Sequence, residues 1–297
     1  MAGSSNNIVI SPVNVYWRIE HQSQFDLSVL VDPDGLSFDI PDSTGATARV
    51  WFDLDASSTP PATPSGGRLI PVAVVTGQAS TVIAATTQVA IDADPAFTAA
   101  VSSSLVTVTG AAVGEAADPT DVDSLVGITV CRRGKDFDLG LLEGEPSPNF
   151  EPANFDVTSQ QTGTTITAKL VQGFSANVET VLQETTKSKL KEMYKIYGET
   201  FTPGAGTEVY GVGTGQIGKN LVIEGARLEF IPVNNQGTEL SYNFTLRLAI
   251  PTPGSLVFSG ENPRTLTVTW DAIPDLTATR PDLNMIIVGD INQPGVL

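Results

Sequence analysis

Residues able to do chemistry are scarce in this chain of 297 residues, which has one histidine, His21, and one cysteine, Cys131. This scarcity excludes a two-histidine metal site, an intramolecular disulfide and a cysteine-only metal cluster. A Ser-His-Asp triad could be built only around His21. We predict that His21 is a polar surface residue and that Cys131, at the end of an apolar strand, is buried and unreactive.

Three acidic motifs have a spacing that could serve metal binding or acid–base chemistry. Asp32–Gly35 (DPDG) and Asp118–Asp123 (DPTDVD) could offer carboxylates to Ca²⁺, but they lack the full loop with its terminal glutamate, so we interpret them as turns. Glu143 and Glu145 form a carboxylate pair, which acid–base catalysis could use only across a cleft, and the sequence favours a solvated loop. We therefore predict no catalytic, cofactor-binding or metal-binding residue and no enzyme activity.

A glycine-rich segment, Gly213–Gly218 (GTGQIG), matches the dinucleotide motif G-x-G-x-x-G. A dinucleotide site needs this loop between a strand and a helix, so that the helix N-terminus meets the pyrophosphate. Here Lys219 and Asn220 follow, and then a predicted strand. We therefore interpret the segment as a flexible loop.

The charge balance argues against a nucleic-acid binder. The chain has 33 acidic and 16 basic residues, for a net charge of −17, whereas binding to phosphate backbones needs a basic surface. A hydrophobic content of 41% indicates a folded protein. The polar start and the short apolar stretches predict neither a secretory leader nor a membrane span.

The acidic residues occur throughout the sequence, whereas four of the seven lysines lie in one predicted helix, Thr186–Tyr197: Lys187, Lys189, Lys191 and Lys195. A solvated helix face is one explanation of this clustering. Docking to an acidic surface is the other.

Short alternating runs between Gly, Pro, Asn and Asp clusters predict a mainly β protein with some α structure. In the first half, Ile8–Ile19 and Ala46–Leu54 are predicted strands, and residues 56–67 form a proline- and glycine-rich loop. Residues 68–131 are predicted to form a compact α+β unit with one helix over a small sheet. Its predicted elements are the helix Ala79–Ala93 and the strands Leu69–Val75, Thr98–Val101, Leu105–Thr109 and Leu125–Arg132.

The second half is predicted to be a twisted antiparallel sheet or sandwich with one amphipathic helix, whose apolar face is Leu190, Met193, Tyr194 and Tyr197. The strand Thr164–Val171 has one buried face, Ile166, Ala168 and Leu170, and a bend at Gly173 separates it from Ala176–Gln183. Further strands are predicted at Leu221–Val233, at Glu239–Ile250, whose apolar and polar residues alternate, and at Arg264–Trp270, in which Leu266, Val268 and Trp270 face inward.

Residues 135–152, 159–194 and 260–275, taken in this order along the chain, resemble the tail tube (major tail) protein family of long-tailed bacteriophages. In residues 135–152 (KDFDLGLLEGEPSPNFEP), a strand that ends in Asp-Leu-Gly leads into an acidic loop. In residues 159–194, a Gln-Thr/Gly stretch enters two strands, and Leu182, Glu184 and Thr185 match the phrase that opens the helix. Residues 260–275 (GENPRTLTVTWDAIPD) resemble the closing strand of such domains. In the N-terminal half, residues 49–110 also resemble a small α+β module that is embedded in various phage tail structural proteins.

The resemblance implies a tail-tube-type β-sandwich or barrel. Residues 1–18 would supply its first strand, residues 19–134 an inserted or N-terminal module, and residues 135–297 the tube domain. It implies a virion protein, assembled in the host cytoplasm, whose hexameric rings stack around a channel that DNA passes without specific binding. Other tail proteins, such as sheath, terminator or baseplate, would be its partners, and the long loop near Gly213 would reach a neighbouring subunit.

Alternation along the strands gives candidates for the channel wall: Thr165, Thr167, Lys169, Asn177, Glu179, Glu239, Asn243, Thr245 and Arg247. A different tail component (a sheath, baseplate or neck protein) is one alternative function. A glycan-binding adhesin module is a second alternative, with Trp17, Trp51 and Trp270 as stacking platforms.

Overall fold

The computed structural model describes residues 13–124, 126–140, 142–144, 146–158, 165–183, 186–201, 209–212, 217–232, 243–257, 265–274 and 285–289. Over these residues the protein is mainly β, with a large antiparallel sheet of eleven strands, a small mixed sheet and a separate strand pair. Two short α-helices complete the described structure. The predicted mainly β class is confirmed.

The helices are α1 (Ser80–Asp92) and α2 (Lys187–Lys195). The strands of the first half are β1 (Val13–Asp26), β2 (Ser37–Pro41), β3 (Thr47–Leu54), β4 (Arg68–Val74), β5 (Phe97–Ser102), β6 (Leu105–Val113), β7 (Thr120–Asp121), β8 (Gly127–Arg132) and β9 (Lys135–Gly140). The strands of the second half are β10 (Ser147–Thr158), β11 (Ile166–Leu182), β12 (Gly198–Phe201), β13 (Val209–Val212), β14 (Ala226–Pro232), β15 (Phe244–Val257), β16 (Thr265–Ala272) and β17 (Ile286–Val288).

The large sheet has the strand order β10-β11-β16-β15-β14-β1-β6-β5, with β8 and β9 also paired to β1, and β17 to β15. The small sheet has the order β4-β3-β2-β7, and β3 and β4 run parallel. Strands β12 and β13 form the separate antiparallel pair. No helix in the described ranges has the length and apolar character needed to span a membrane.

The chain divides into two compact units. The nested unit comprises Trp17–Phe137 and Ile223–Ala226, and the flanking unit comprises Met1–Tyr16, Asp138–Val222 and Arg227–Leu297. The predicted module boundaries, after residues 18 and 134, lie next to these divisions. That the module was inserted into a tube domain stays a prediction.

The nested unit has a continuous apolar core of its own. The phenylalanines of three strands meet in it: the ring centroids of Phe25 and Phe38 lie 4.7 Å apart, and those of Phe38 and Phe52 lie 6.2 Å apart. Helix α1 adds Ile83 and Ile91 to this core. The predicted strand Ala46–Leu54 and helix Ala79–Ala93 are both confirmed, and the alternation of the strand matches its buried residues Ala48, Val50 and Phe52.

The flanking unit buries the predicted apolar face of β16, on which Leu266, Val268 and Trp270 are fully buried. Trp270 Nε1 donates a hydrogen bond to Thr180 Oγ1 over 2.8 Å, so its one polar group is satisfied inside the core. The side chain of Thr186 caps α2 by accepting a hydrogen bond from the Lys189 amide over 3.3 Å.

The predicted apolar face of α2 is wrong by one position. The buried residues of this helix and its C-cap are Lys189, Glu192, Met193 and Ile196, whereas Leu190 and Tyr194 are half-buried. Two charged residues thus lie where the sequence pattern predicted solvent. Local periodicity did not reveal this because Lys189 has a distant partner, the Leu139 carbonyl.

Four predicted strands of the second half differ in extent from the structure. Residues 166–182 form one continuous strand, β11, rather than two strands separated at Gly173. The predicted strand Leu221–Val233 begins instead with a 3₁₀ turn at Leu221–Glu224, followed by β14. Strand β15 extends past the predicted end at Ile250 to Val257. Residues 8–12 and 239–242, which the sequence assigned to strands, lie outside the described residues.

Candidate functional site

The most distinctive surface of the flanking unit is a two-stranded ribbon. Strands β10 and β11 pair from Ser147↔Glu179 to Thr158↔Ile166, but β16 pairs with β11 only from Asn177 to Leu182. Residues Phe150–Thr158 and Ile166–Ala176 therefore extend as a pair beyond the next strand of the sheet. We call this pair the ribbon.

The ribbon exposes large apolar side chains that normally lie in a core. Six of them are between 45% and 57% exposed: Phe150, Phe155, Ile166, Leu170, Val171 and Phe174. The sequence predicted a buried face at Ile166, Ala168 and Leu170, and this is wrong for the single chain, because no described element packs over these exposed residues. Clusters of exposed large apolar side chains are typical of interaction sites.

The register places an apolar patch on each face of the ribbon. Residues directly opposite each other in an antiparallel pair share a face, and successive residues alternate between faces. Phe150 and Phe174 therefore lie on one face with Pro152, and their rings stack with centroids 5.2 Å apart. These three residues form the proximal patch.

The apolar residues change face further along the ribbon, where the register shifts between Ala153 and Asn154. Phe155 lies opposite Leu170, and Val157 lies opposite Ala168, on the face that does not carry the proximal patch. These four residues form the distal patch. Behind it, Lys169 and Asp156 make an exposed ion pair at 3.6 Å.

Sequence reasoning missed β10 because residues 135–152 were interpreted as a short strand that leads into an acidic loop, and that loop contains Pro146, Pro148 and Pro152. A signal was present: Phe150 and Pro152 share one face of the period-2 alternation, and Phe155 and Val157 share the other. The prolines are compatible with a strand because β10 is the edge of the sheet, where a missing N–H leaves no partner unsatisfied.

Two candidates for the channel wall lie together beside the ribbon. Half-buried Asn177 and exposed Glu179 lie opposite Asn149 and Ser147, on the face of β10–β11 that does not carry the proximal patch. With Glu143 these residues line a polar cleft of about 370 Å³. The cleft is therefore a hydrophilic surface on this part of the sheet.

The other wall candidates are dispersed. Thr165, Thr167 and Lys169 are exposed on the ribbon, and Thr167 donates a hydrogen bond to the Val157 carbonyl over 2.9 Å. Asn243, directly before β15, and Arg247, on β15, are half-buried. Glu239 lies outside the described residues.

Thr245 is buried, which contradicts its prediction as a wall residue. Strand β15 buries residues on both of its faces here, because Leu246 and Ala249 are buried as well and Thr245 lies opposite Ile287 of β17. The simple inward–outward alternation predicted for Glu239–Ile250 fails where both faces are covered.

The lysine helix is only partly a solvated face. Lys189, predicted as a docking residue, is 8% exposed, and its Nζ donates a hydrogen bond to the Leu139 carbonyl over 2.7 Å. It therefore anchors α2 to β9 and is unavailable for docking. Lys191 is half-buried, and the side chains of Lys187 and Lys195 lie outside the described part of the chain.

The acidic motifs act as turns and braces in the nested unit. Asp32 accepts a hydrogen bond from the Gly77 amide over 2.7 Å, and Gly35 has a positive φ of 67°, as a tight turn requires. Asp123 accepts one from the Ser37 amide over 2.7 Å. Among the described residues no group of three potential ligand side chains is close enough to hold a metal ion.

The two lone reactive residues are placed differently from their predictions. His21 is buried, not on the surface, and its Nε2 lies 2.9 Å from Ser23 Oγ. Burial lowers the pKa of His21, while the charge of Asp118 opposes this shift. Cys131 is half-buried, and burial raises the pKa of its thiol. The thiol is thus protonated at neutral pH and a poor nucleophile.

A buried ionic cluster in the nested unit could not be found from the sequence. Lys135 Nζ lies 3.3 Å from Glu224 Oε2 and 4.8 Å from the ring centroid of Trp17. Arg133 Nη1 lies 2.7 Å from Glu224 Oε1, and Arg133 also binds Asp118 at 2.8 Å. The hydrogen bond to Asp118, followed by that to Glu224, raises the pKa of Arg133, although burial opposes the shift. Glu224 is 89 positions from Lys135, so no local pattern links them.

Comparisons with known proteins add no family to this description. No family model matches the chain, and no curated protein matches it. The interpretation of the site therefore depends on its geometry and on the sequence resemblance.

Proposed function

We propose that this protein is a structural, non-enzymatic subunit that self-assembles, and specifically the tail tube subunit of a long-tailed bacteriophage. In this proposal the chain forms hexameric rings, the rings stack into a tube in the virion tail, and DNA passes through the channel. The observation that carries the proposal is the ribbon, whose strands have the alternation of buried β structure but expose their apolar side chains.

A second copy of the chain is the partner that suits the ribbon best. A ribbon with a patch on each face can be covered from both sides when identical subunits follow one another around a ring. Burying apolar surface is favourable at roughly 25 cal/mol per Å². Six half-exposed large side chains therefore provide a strong drive for association.

The strand edges also support association around a ring. In the described structure, β16 leaves the Ile166–Ala176 edge of β11 uncovered, and this edge has no proline. The opposite edge, β10, carries Pro148 and Pro152, which have no N–H for an added strand. Strand addition is therefore directed toward the β11 edge, and closing the ring would remove that edge. That the chain has a tail-tube-type β-sandwich or barrel fold is also part of this proposal.

The polar cleft supports a conduit. Asn177 and Glu179 lie on a hydrophilic face, and we retain them as wall residues, while Thr165 and Thr167 stay predictions. Lys169 pairs with Asp156 on the opposite face of β10–β11, so it is withdrawn from the wall. A chain with a net charge of −17 repels the phosphate backbone, so DNA would pass without adhering. Thr245 is withdrawn from the wall because it is buried.

The test is to make the distal patch polar with Phe155→Ser and Leu170→Ser. The purified wild-type chain should form six-fold rings or tubes in negative-stain images, and the double variant should remain monomeric with an unchanged melting temperature. Asp156→Ser with Lys169→Ser, on the other face of the same strands, is the matched control and should assemble. Normal rings from the double variant with a polar distal patch, or a wild-type chain that forms none, would overturn the proposal.

A different tail component remains the alternative, and imaging distinguishes it because six-fold rings and tubes are expected only of a tube subunit. Docking of the lysine helix to a sheath or an adjacent ring is a separate part of the proposal, now limited to Lys187, Lys191 and Lys195. Reversing these three charges should weaken ring stacking or sheath binding. Unchanged assembly would disprove the docking role.

The burial of the three tryptophans argues against the glycan-binding alternative. Trp17 and Trp270 are fully buried and Trp51 is 5% exposed. Stacking on a sugar needs an exposed aromatic face, and none of these three rings offers one. A glycan array probed with the purified chain should therefore give no specific signal.

A further inference from the structure

The outer edge of β5, in the nested unit, is unusual because it combines an end position with an uncharged sequence. β5 (FTAAVS) is the last strand of the sheet order and pairs with β6. Thr98 and Ala100 are exposed, and Val101 is 39% exposed. Proteins usually protect such an edge with a charge, a proline or a bulge, because it can pair with another chain.

The hairpin register identifies which backbone groups point outward. A two-residue turn joins Ser102 to Leu105, so these two residues form a hydrogen-bonded pair. Hydrogen-bonded and non-hydrogen-bonded pairs alternate along antiparallel strands, so Phe97, Ala99 and Val101 belong to non-hydrogen-bonded pairs with β6. The N–H and C=O groups of these three residues therefore face away from β6.

Helix α1 occupies the outward groups of Ala99. Asp92 Oδ1 accepts a hydrogen bond from the Ala99 amide over 3.0 Å, and Gln88 Nε2 donates one to the Ala99 carbonyl over 3.1 Å. The Phe97 amide is also engaged, by the Asp94 carbonyl at 3.1 Å. Gln88 and Asp92 are four positions apart, so they lie on the same helix face.

The position of Asp92 supports a dedicated role. It is the last residue of α1, where a negative charge is unfavourable beside the negative end of the helix dipole. It is also the only charged residue of the helix (STVIAATTQVAID). The hydrogen bond to Ala99 gives this otherwise unfavourable charge a function.

We propose that Gln88 and Asp92 form an edge guard, which keeps β5 of one copy from pairing with β5 of a second copy. The partner is a second copy because β5 is uncharged, so two identical edges can meet antiparallel although each chain carries a charge of −17. In a protein proposed to assemble through the ribbon, the guard would restrict association to that surface. The inference itself does not depend on the proposed function.

The test removes the guard in the full chain with Gln88→Ala and Asp92→Ala. Every chain in the experiment also carries Phe155→Ser and Leu170→Ser, which make the distal patch of the ribbon polar. Every chain further carries Cys131→Ser and Ala100→Cys, so that an intermolecular disulfide at position 100 reports β5–β5 contact. The guarded chain is the one that keeps Gln88 and Asp92. We expect the cross-linked dimer to increase several-fold over the guarded chain, with a concentration-dependent rise in mass.

Asp92→Asn is the matched control, because it removes the same charge but keeps an oxygen that can accept from the Ala99 amide. It should cross-link no more than the guarded chain. If Gln88→Ala with Asp92→Ala lowers the melting temperature, Asp92→Ala alone carries the test, since it also relieves the unfavourable dipole interaction. An unguarded, folded chain that cross-links no more than the guarded one would overturn the proposal.

Discussion

Phe38 and Phe174 are both phenylalanines on antiparallel strands, but they lie in opposite environments. Phe38 is fully buried between Phe25 and Phe52 in the nested unit, whereas Phe174 is 54% exposed on the ribbon of the flanking unit. The nested unit covers the residues of its core cluster, Phe38 among them, with its own strands and helix. The ribbon has no such cover within the described chain.

This difference separates residues that fold the chain from residues that we propose assemble it. A buried phenylalanine contributes to the stability of the single chain, whereas an exposed one contributes only when a partner covers it. The nested unit also pairs its buried charges Glu224 and Lys135 with each other, and the partly exposed Arg133 is a second partner of Glu224. Its guarded β5 edge fits the same pattern of a surface that closes on itself.

The comparison can be tested directly with two phenylalanine truncations. We expect Phe38→Ala to lower the free energy of unfolding by about 4 kcal/mol, because it leaves a cavity in a closed core. Phe174→Ala should cost about 1 kcal/mol in the single chain, mostly from the lost stack with Phe150. Urea unfolding under conditions that keep the chain monomeric measures both losses of unfolding free energy. Equal losses would contradict the distinction between residues that fold the chain and residues that assemble it.

The substitution Glu224→Ala tests the contribution of the ionic cluster to the stability of the nested unit. We expect a loss of about 3 kcal/mol, because the buried Lys135 ammonium would lose its counter-ion. Unfolding followed by tryptophan fluorescence measures this loss. Asp136→Ala removes the same charge from an exposed position of β9 and should change stability by less than about 0.5 kcal/mol. If the two variants behave alike, the ionic cluster does not stabilise the unit.

A smaller, pH-dependent effect should belong to the nested unit alone. Burial lowers the pKa of His21 below its ordinary value of 6.5, so the unfolded chain takes up a proton first as the pH falls. The stability that neutral His21 provides is fully present above about pH 6.5 and is lost as the pH falls toward the folded pKa. Melting temperatures between about pH 8 and about pH 5 measure this loss.

His21→Gln is the control for this pH dependence. Because His21 is the only histidine, the variant should have a flatter profile over the same range. A wild-type profile as flat as that of the variant would mean that His21 is solvated in solution. Phe150, Phe174 and the rest of the ribbon have no such group, so ribbon-dependent assembly should not follow this titration.

The sequence predicted those elements whose pattern is local. The alternation of β3 and β16 and the helices α1 and α2 were all found, because residues a few positions apart determine them. It failed where a distant partner decides burial. Lys189 turns inward because of the Leu139 carbonyl, and Thr245 is buried because both faces of β15 are covered.

The candidate site shows the same division. Ile166 and Leu170 have the alternation of a buried strand, but only the tertiary structure shows that no described element covers them. The strand β10 that pairs with them was hidden by its prolines, whose tolerance depends on an edge position in the sheet. The ribbon thus has the sequence pattern of buried strands, and that pattern does not reveal that no described element covers it.

By itself, the sequence determined the mainly β class, the scarcity of catalytic residue types and the strong acidity of this protein. The tertiary structure decided which apolar faces are buried and which are exposed. It also decided which buried charges pair and which strand edge is hydrogen-bonded by a helix. The physical reason is that composition and period are properties of neighbouring residues. Burial and pairing depend on segments far apart in the chain, such as Glu224 and Lys135, which only the folded topology brings together.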